Sequence, residues 1–320
     1  MLISRFIKSL LSVGGIGLAM GSACGQDYPN KAIHIFTTAA GGGGDFTARQ
    51  VAQGISGPLG QPVVIDNRPS TFVAAENVYK AQPDGYTLIV VGSTFWVLPL
   101  LQKLPYDVAR DFSPISQIEQ SINIVAVHPS VPAKSIKELI ELAKSKPGVL
   151  NYGAAAIGST SHLAMELFKS MAGVNITNVP YKGSAPAVTG TIAGEVQIYI
   201  SDVGTLVPHV KSGKLKALAV TSAQPSATAP GLPTVAATGL PGYEVVNMTG
   251  IFAPVKTPEA IINRLHQEIV RTLSRPDVKE RFFNAGVDTV GSSPQQFAAT
   301  IKSDTAKMSK VIKEAGIKVE

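Results

Sequence analysis

The sequence predicts an α/β fold arranged as two lobes joined by crossing strands, and three observations carry that expectation. Short β-branched runs alternate with amphipathic stretches, the pattern of mainly parallel sheets covered by helices. Two further extended runs, Ile122–His128 and Tyr243–Pro254, interrupt this alternation. Once an N-terminal leader is set aside, about 295 residues remain, which suits two modest domains better than one. The two interrupting runs are taken as strands passing between lobes. The first lobe is then discontinuous, residues 26–124 plus 249–320, with residues 125–248 inserted as the second.

The strands expected in order are Ala32–Thr37, Pro62–Asp66, Tyr86–Val91, Leu150–Gly153, Ile176–Pro180, Val196–Ser201 and Leu215–Val220. Helices fill the intervals. Ser135-Ile136-Lys137-Glu138 has the form of a capping box, and Ile136, Leu139, Ile140 and Ala143 behind it repeat at helical spacing. Thr257 is placed as the cap of a later helix with Pro258 at its first position and Ile261, Ile262, Leu265 and Ile269 as its apolar stripe. A final helix starts at a second capping box, Ser293-Pro294-Gln295-Gln296, with Phe297, Ile301, Met308, Val311 and Ile312 facing inward.

Residues 1–25 have the form of an export signal: Arg5 and Lys8, then the apolar run Leu10–Leu18, then small residues to Gly25. That run is too short to span a bilayer, which needs roughly 20 apolar residues. Cleavage after Gly25 removes Cys24, the single cysteine, and with it disulfides and cysteine catalysis. Acylation at Cys24 is the minor alternative, since Gly21 stands where lipoprotein signals carry Leu. The expected location is the periplasm.

The net charge of +6 falls to +4 when Arg5 and Lys8 are removed, and the lysines lie scattered among acids on helix faces. With only 6% aromatic residues there is no basic stripe with stacking platforms, so nucleic acid is not an expected partner. The five histidines form no His-Glu-x-x-His or other short metal pair, and no Gly-x-Ser-x-Gly elbow surrounds Ser93 or Ser159. No metal, cofactor or catalytic residue is expected, and the chain is expected to act as a monomer. A hydrolase using Ser159 and His162 is the enzymatic alternative.

Thr38-Ala39-Ala40-Gly41-Gly42-Gly43-Gly44-Asp45 joins a strand to a helix, and bare backbone there can approach an anion closely. A P-loop would end in Gly-Lys-Ser/Thr, where Asp45-Phe46-Thr47 stands, and a dinucleotide fingerprint would need glycine at Phe46. Asp45 would repel an anion, so its expected roles are capping the helix, ordering the glycine loop or meeting the ammonium group of an amino-acid ligand. A second loop of the same design, Ala154 to His162, offers Ala156, Gly158, Ser159, Thr160 and His162. Ser93 and Thr94 follow another strand, and Tyr181, Gly183 and Asp202 stand at corresponding positions of the second lobe. Their shared place at the carboxyl ends of strands makes them candidate ligand contacts.

Several segments together resemble the receptors of tripartite tricarboxylate transporters, also called Bug proteins. In the first half these are Ala39-Ala40-Gly41-Gly42, Leu59-Gly60-Gln61-Pro62, Asn67-Arg68-Pro69, Pro83-Asp84-Gly85-Tyr86 and Leu104-Pro105-Tyr106-Asp107. In the second they are Leu150-Asn151-Tyr152-Gly153, Gly158-Ser159-Thr160-Ser161-His162-Leu163, Val179-Pro180-Tyr181-Lys182-Gly183 and Gly250-Ile251-Phe252-Ala253-Pro254. The resemblance implies a periplasmic binding protein type II-like fold, two α/β lobes closing on a ligand cleft. It also implies a carboxylate-bearing organic solute held by the first glycine loop and the loop around Ser159. Delivery to integral-membrane transporter subunits is the implied role, with signalling to a membrane sensor kinase as the alternative. The chain departs from the family at Ser70–Ala74 and at Phe95-Trp96, where bulkier residues replace small ones. These aromatics either narrow the pocket or belong to the core.

Overall fold

The computed structural model describes residues 28–317, so the leader and Cys24 lie outside the described residues. The strands are β1 Ile33–Thr37, β2 Val63–Asn67, β3 Thr87–Gly92, β4 Phe112–Val127, β5 Asn151–Ala154, β6 Thr177–Pro180, β7 Ile198–Asp202, β8 Lys216–Val220, β9 Val246–Pro254 and β10 Asp288–Thr289. The helices are α1 Gly43–Leu59, α2 Thr71–Tyr79, α3 Thr94–Val97, α4 Val108–Asp111, α5 Ile136–Ser145, α6 Thr160–Ala172, α7 Ser184–Ala193, α8 Val203–Lys211, α9 Val235–Thr238, α10 Glu259–Leu273, α11 Pro276–Asn284 and α12 Pro294–Glu314. The strands join in the order β2-β1-β3-β9-β4-β7-β5-β6, with β8 and β10 also paired to β4.

The long strand β4 links the two halves. Its Phe112–Ile122 stretch pairs with β9, and its Asn123–Val127 stretch pairs with β7. In each half apolar residues point to both faces of the sheet, as parallel strands buried on both sides require. In the first half Ile35, Leu88 and Val90 pack with α1 and α10, whereas Ile89, Val91 and Phe252 pack with α2, α3 and α12. In the second, α5 and α6 cover one face, and Leu206 of α8 with Ala187 and Val188 of α7 cover the other.

The expected crossing strand at 122–128 is the end of a much longer one. Ladder shifts between Pro114 and Ser116, and again between Gln117 and Glu119, break the period-two alternation that would have marked its first part. Ile115 and Ile118, three residues apart, are therefore both fully buried. The other expected crossing strand starts at Val246, not Tyr243, and among the described residues pairs with β3 and β4 alone. The chain passes between halves just before it, where the Val245 N–H donates to Thr221 O. Thr257 does not cap α10: its hydroxyl donates to Pro254 O, and Pro258 takes the cap position. The capping box at Ser293 is complete. At Ser135 only half forms, since the Glu138 carboxylate accepts from the Lys134 N–H.

Glu119 is a buried acid in this central region. Its Oε2 has no hydrogen-bond partner among the described residues. Burial raises its carboxyl from 4.5 to about 7, opposed by a hydrogen bond from Thr249 and reinforced by Asp288. A carboxyl raised in the folded state favours folding while it is neutral, so stability falls as pH rises from 4.5 to about 7. At about 1.4 kcal/mol for each pH unit of that window, the loss is about 3 kcal/mol. Glu119→Gln, neutral at every pH, should remove it. In urea titrations the variant should gain about 3 kcal/mol on wild type between pH 4.5 and pH 8, and a constant gap would refute the assignment.

Candidate functional site

The glycine loop leaves β1 at Thr37, whose hydroxyl donates to Val90 O across the neighbouring strand at 2.8 Å. Its shape is set from beneath by Asp45. That carboxylate accepts the Gly41 N–H at 2.9 Å, the Asn67 amide at 2.9 Å and Arg49 Nε at 3.0 Å. Asn67 also donates to Thr38 O, and Gly41 has φ +81, a left-handed conformation suited to glycine. The hydrogen bond from Arg49 holds the Asp45 carboxyl down at about 2, so it is ionised at neutral pH. Asp45 thus orders the loop with its side chain, one of the three roles expected of it. It does not cap α1, because it lies within the first turn of the helix and Gly42 holds the cap position.

The cap of α1 is Gly42, which has no side chain to turn inward. The N–H groups of Gly43, Gly44 and Asp45, and those of Ala39 and Ala40, find no acceptor among the described residues. A helix of 17 residues therefore presents its positive end with donors that have no acceptor among the described residues, an arrangement chemically suited to an anion.

The second loop is more tightly knit. Ser159 caps α6, accepting from the N–H groups of His162 and Ala156 and donating to Ala156 O at 2.7 Å. Ser161 accepts the Ala155 N–H at 2.9 Å, and His162 Nδ1 accepts the Gly158 N–H at 2.9 Å. The N–H groups of Ile157, Thr160 and Ser161 have no acceptor among the described residues. Ser159 and His162 share no side-chain hydrogen bond: the hydroxyl is spent on Ala156 O and the imidazole Nδ1 on Gly158. This is the geometry of a loop scaffold, and it lacks the nucleophile–base contact of a hydrolase.

Tyr181 and Gly183 brace that loop, their N–H groups donating to Ala154 O and Ala155 O at 2.8 Å each. The Tyr181 hydroxyl donates to Glu195 at 3.1 Å. Asp202 caps α8, and Thr205 occupies both its oxygens through its N–H and its hydroxyl. Both side chains are thus engaged by the scaffold.

Ser93 and Thr94 meet Gly158 and Thr160 across a groove with only about 20 Å3 of solvent space, room for one water. Val97, Leu163, Val245, Val246, Asp304 and Met308 complete its lining. Leu101 closes on Gly158 so tightly that a Cβ there would lie 2.6 Å from its Cδ1. The part played by α12 was not visible in the sequence, where Met308 is one more member of an apolar stripe. Phe95 and Trp96 are core residues, fully buried against Phe252. Phe72 stacks on Tyr106.

Two α/β halves, each ending parallel strands in loops with free amides and sharing a groove, have the architecture of a two-lobed solute-binding protein. Residues 47–317 match the family model described as the tripartite tricarboxylate transporter family receptor. The chain belongs to that receptor family. It is 34% identical to a protein encoded in the tcbD–tcbE intergenic region of Pseudomonas sp. strain P51, over 94% of this chain and 93% of that one. It is 32% identical to BugT of Bordetella pertussis, over 97% and 98%. Among solved structures, an R. palustris protein with adipate superposes with a TM-score of 0.77 at 36% identity, over 91% of this chain and 99% of that one. MatC from Rhodopseudomonas palustris with bound malate gives 0.73 at 29% identity, over 89% and 100%. No helix of the described residues is long and apolar enough to cross a membrane.

Proposed function

We propose that this protein captures a carboxylate-bearing organic solute in the periplasm by closure of its lobes and hands it to integral-membrane transporter subunits. The observation that carries this reading is a pair of amide clusters with no acceptor among the described residues, Gly43, Gly44 and Asp45 in one half and Ile157, Thr160 and Ser161 in the other, each set after a strand end. Each is weak alone, and together they supply donors that meet one anion only when the halves approach. The lobes in this reading are residues 26–124 plus 249–320 and residues 125–248, exported by the leader at 1–25. The groove at Gly158 and Thr94 must widen to admit a solute, since its present space holds one water.

The test is a thermal-shift panel of adipate, malate, acidic amino acids and aromatic acids, each paired with its uncharged amide, on the chain without its leader. A ligand bound only by the folded state adds about 2.7 kcal/mol at a hundred times its Kd. At least one carboxylate should raise the midpoint while its amide does not. Equal responses, or none across the panel, would remove the anion from the reading.

A further inference from the structure

We infer that His162 is a positioning residue of the second loop, holding Gly158 and the free amides beside it from within the core of the second half. The ring is 5% exposed and lies parallel to Tyr152, with centroids 6.3 Å apart. Tyr152 is fixed in turn, its hydroxyl donating to Glu166 at 2.6 Å, and Lys169 pairs with the same carboxylate. From this anchored ring Nδ1 reaches back one helical turn to the Gly158 N–H at 2.9 Å. That bond requires Nδ1 to be unprotonated, so the neutral ring carries its proton on Nε2. Burial pushes the imidazole below its usual range, with Glu166 opposing and Lys169 adding to that effect.

The grip matters because of what stands next to Gly158. Its φ of +77 is a conformation that only a left-handed turn supplies, and its face is pressed by Leu101 from the opposite half. Ile157 precedes it with a free N–H, and Thr160 and Ser161 follow with two more. A shift of Gly158 therefore moves the donors and the contact between halves together. Ser159 and Ser161 hold the base of the same loop through Ala155 and Ala156, leaving the tip at Gly158 to His162 alone among the described side chains.

The decisive measurement is amide hydrogen exchange at Gly158 in three variants of the chain without its leader. His162→Asn places its Oδ1 where Nδ1 stood, whereas His162→Gln offers an acceptor only at the far side of the ring and His162→Leu offers none. Exchange should be about tenfold faster in His162→Leu and His162→Gln, the loss of one hydrogen bond near 1.4 kcal/mol, and close to wild type in His162→Asn. Unchanged exchange in His162→Gln, or His162→Asn as fast as it, would overturn the proposal, and this pair decides even if His162→Leu fails to fold. Histidine nitrogen shifts in the wild type should report the Nε2–H form, and an Nδ1–H form would equally overturn it. The link to ligand capture rests on the function proposed above and is read separately with adipate. A midpoint rise kept in His162→Asn and reduced in His162→Gln supports it. No rise in the wild type counts against the adipate reading alone, because the Gly158 exchange still decides the role of His162.

Discussion

Trp96→Ala is expected to lower folding stability by about 3–5 kcal/mol, the range for removing a large aromatic from a packed core. Trp96 is 1% exposed and meets Phe252 and Phe297 with ring centroids 6.2 and 5.9 Å away. Two costs add. The deleted indole leaves a cavity in the cluster under α3 and α12, and it strips Asp304 of the Nε1–H donor at 2.8 Å. The Asp304 side chain is only 11% exposed, and Lys307 at 3.8 Å is too distant to replace that hydrogen bond. Trp96→Phe keeps most of the volume and loses the donor, so it should cost about 1–3 kcal/mol and separate the two contributions. Trp96 is the only tryptophan, so urea unfolding must be followed by circular dichroism. A loss below about 1 kcal/mol in Trp96→Ala would mean that the indole is not a core residue.

The same residue illustrates what could be read in the sequence and what could not. Every expected short strand forms within two residues of its expected start, because period-two apolar runs between glycines and prolines are set locally. The two strand-to-helix loops of the candidate site were legible as loops for a related reason, since glycines and hydroxyls stand where a strand pattern gives way to a helical one. The first half of β4 was hidden by its bulges, which place Ile115 and Ile118 on one side of the sheet. Whether Phe95 and Trp96 lined a pocket or filled a core depended on α12, some 200 residues later, and the indole pairs with Asp304 across 208 positions. Likewise Asp45 in α1 is held by Asn67 at the end of β2, a contact that no local pattern announces. The bridging of both halves by α12, with Lys307 on Glu244 O and Glu314 on Ser170, is equally nonlocal.

Gly43→Pro is expected to weaken the best carboxylate of the panel by about tenfold to a hundredfold while leaving the fold intact. Position 43 is the first residue of α1, where proline is the one substitution that deletes an N–H without breaking a helical hydrogen bond. Gly42 before it is extended, φ −86 and ψ 171, as a residue preceding proline must be. A Cβ on Gly43 would meet nothing within 4 Å, so the first ring carbon faces open space. The lost amide has no acceptor in the protein among the described residues, so its removal costs the unliganded fold nothing. A hydrogen bond to a charged group contributes about 1.5–3 kcal/mol, which sets the expected loss. Gly43→Ala keeps the N–H and should bind within about twofold of wild type, since its Cβ faces open space. Isothermal calorimetry on the three proteins distinguishes the cases. Equal affinity in Gly43→Pro would move the anion off the start of α1 and leave the second loop to hold it.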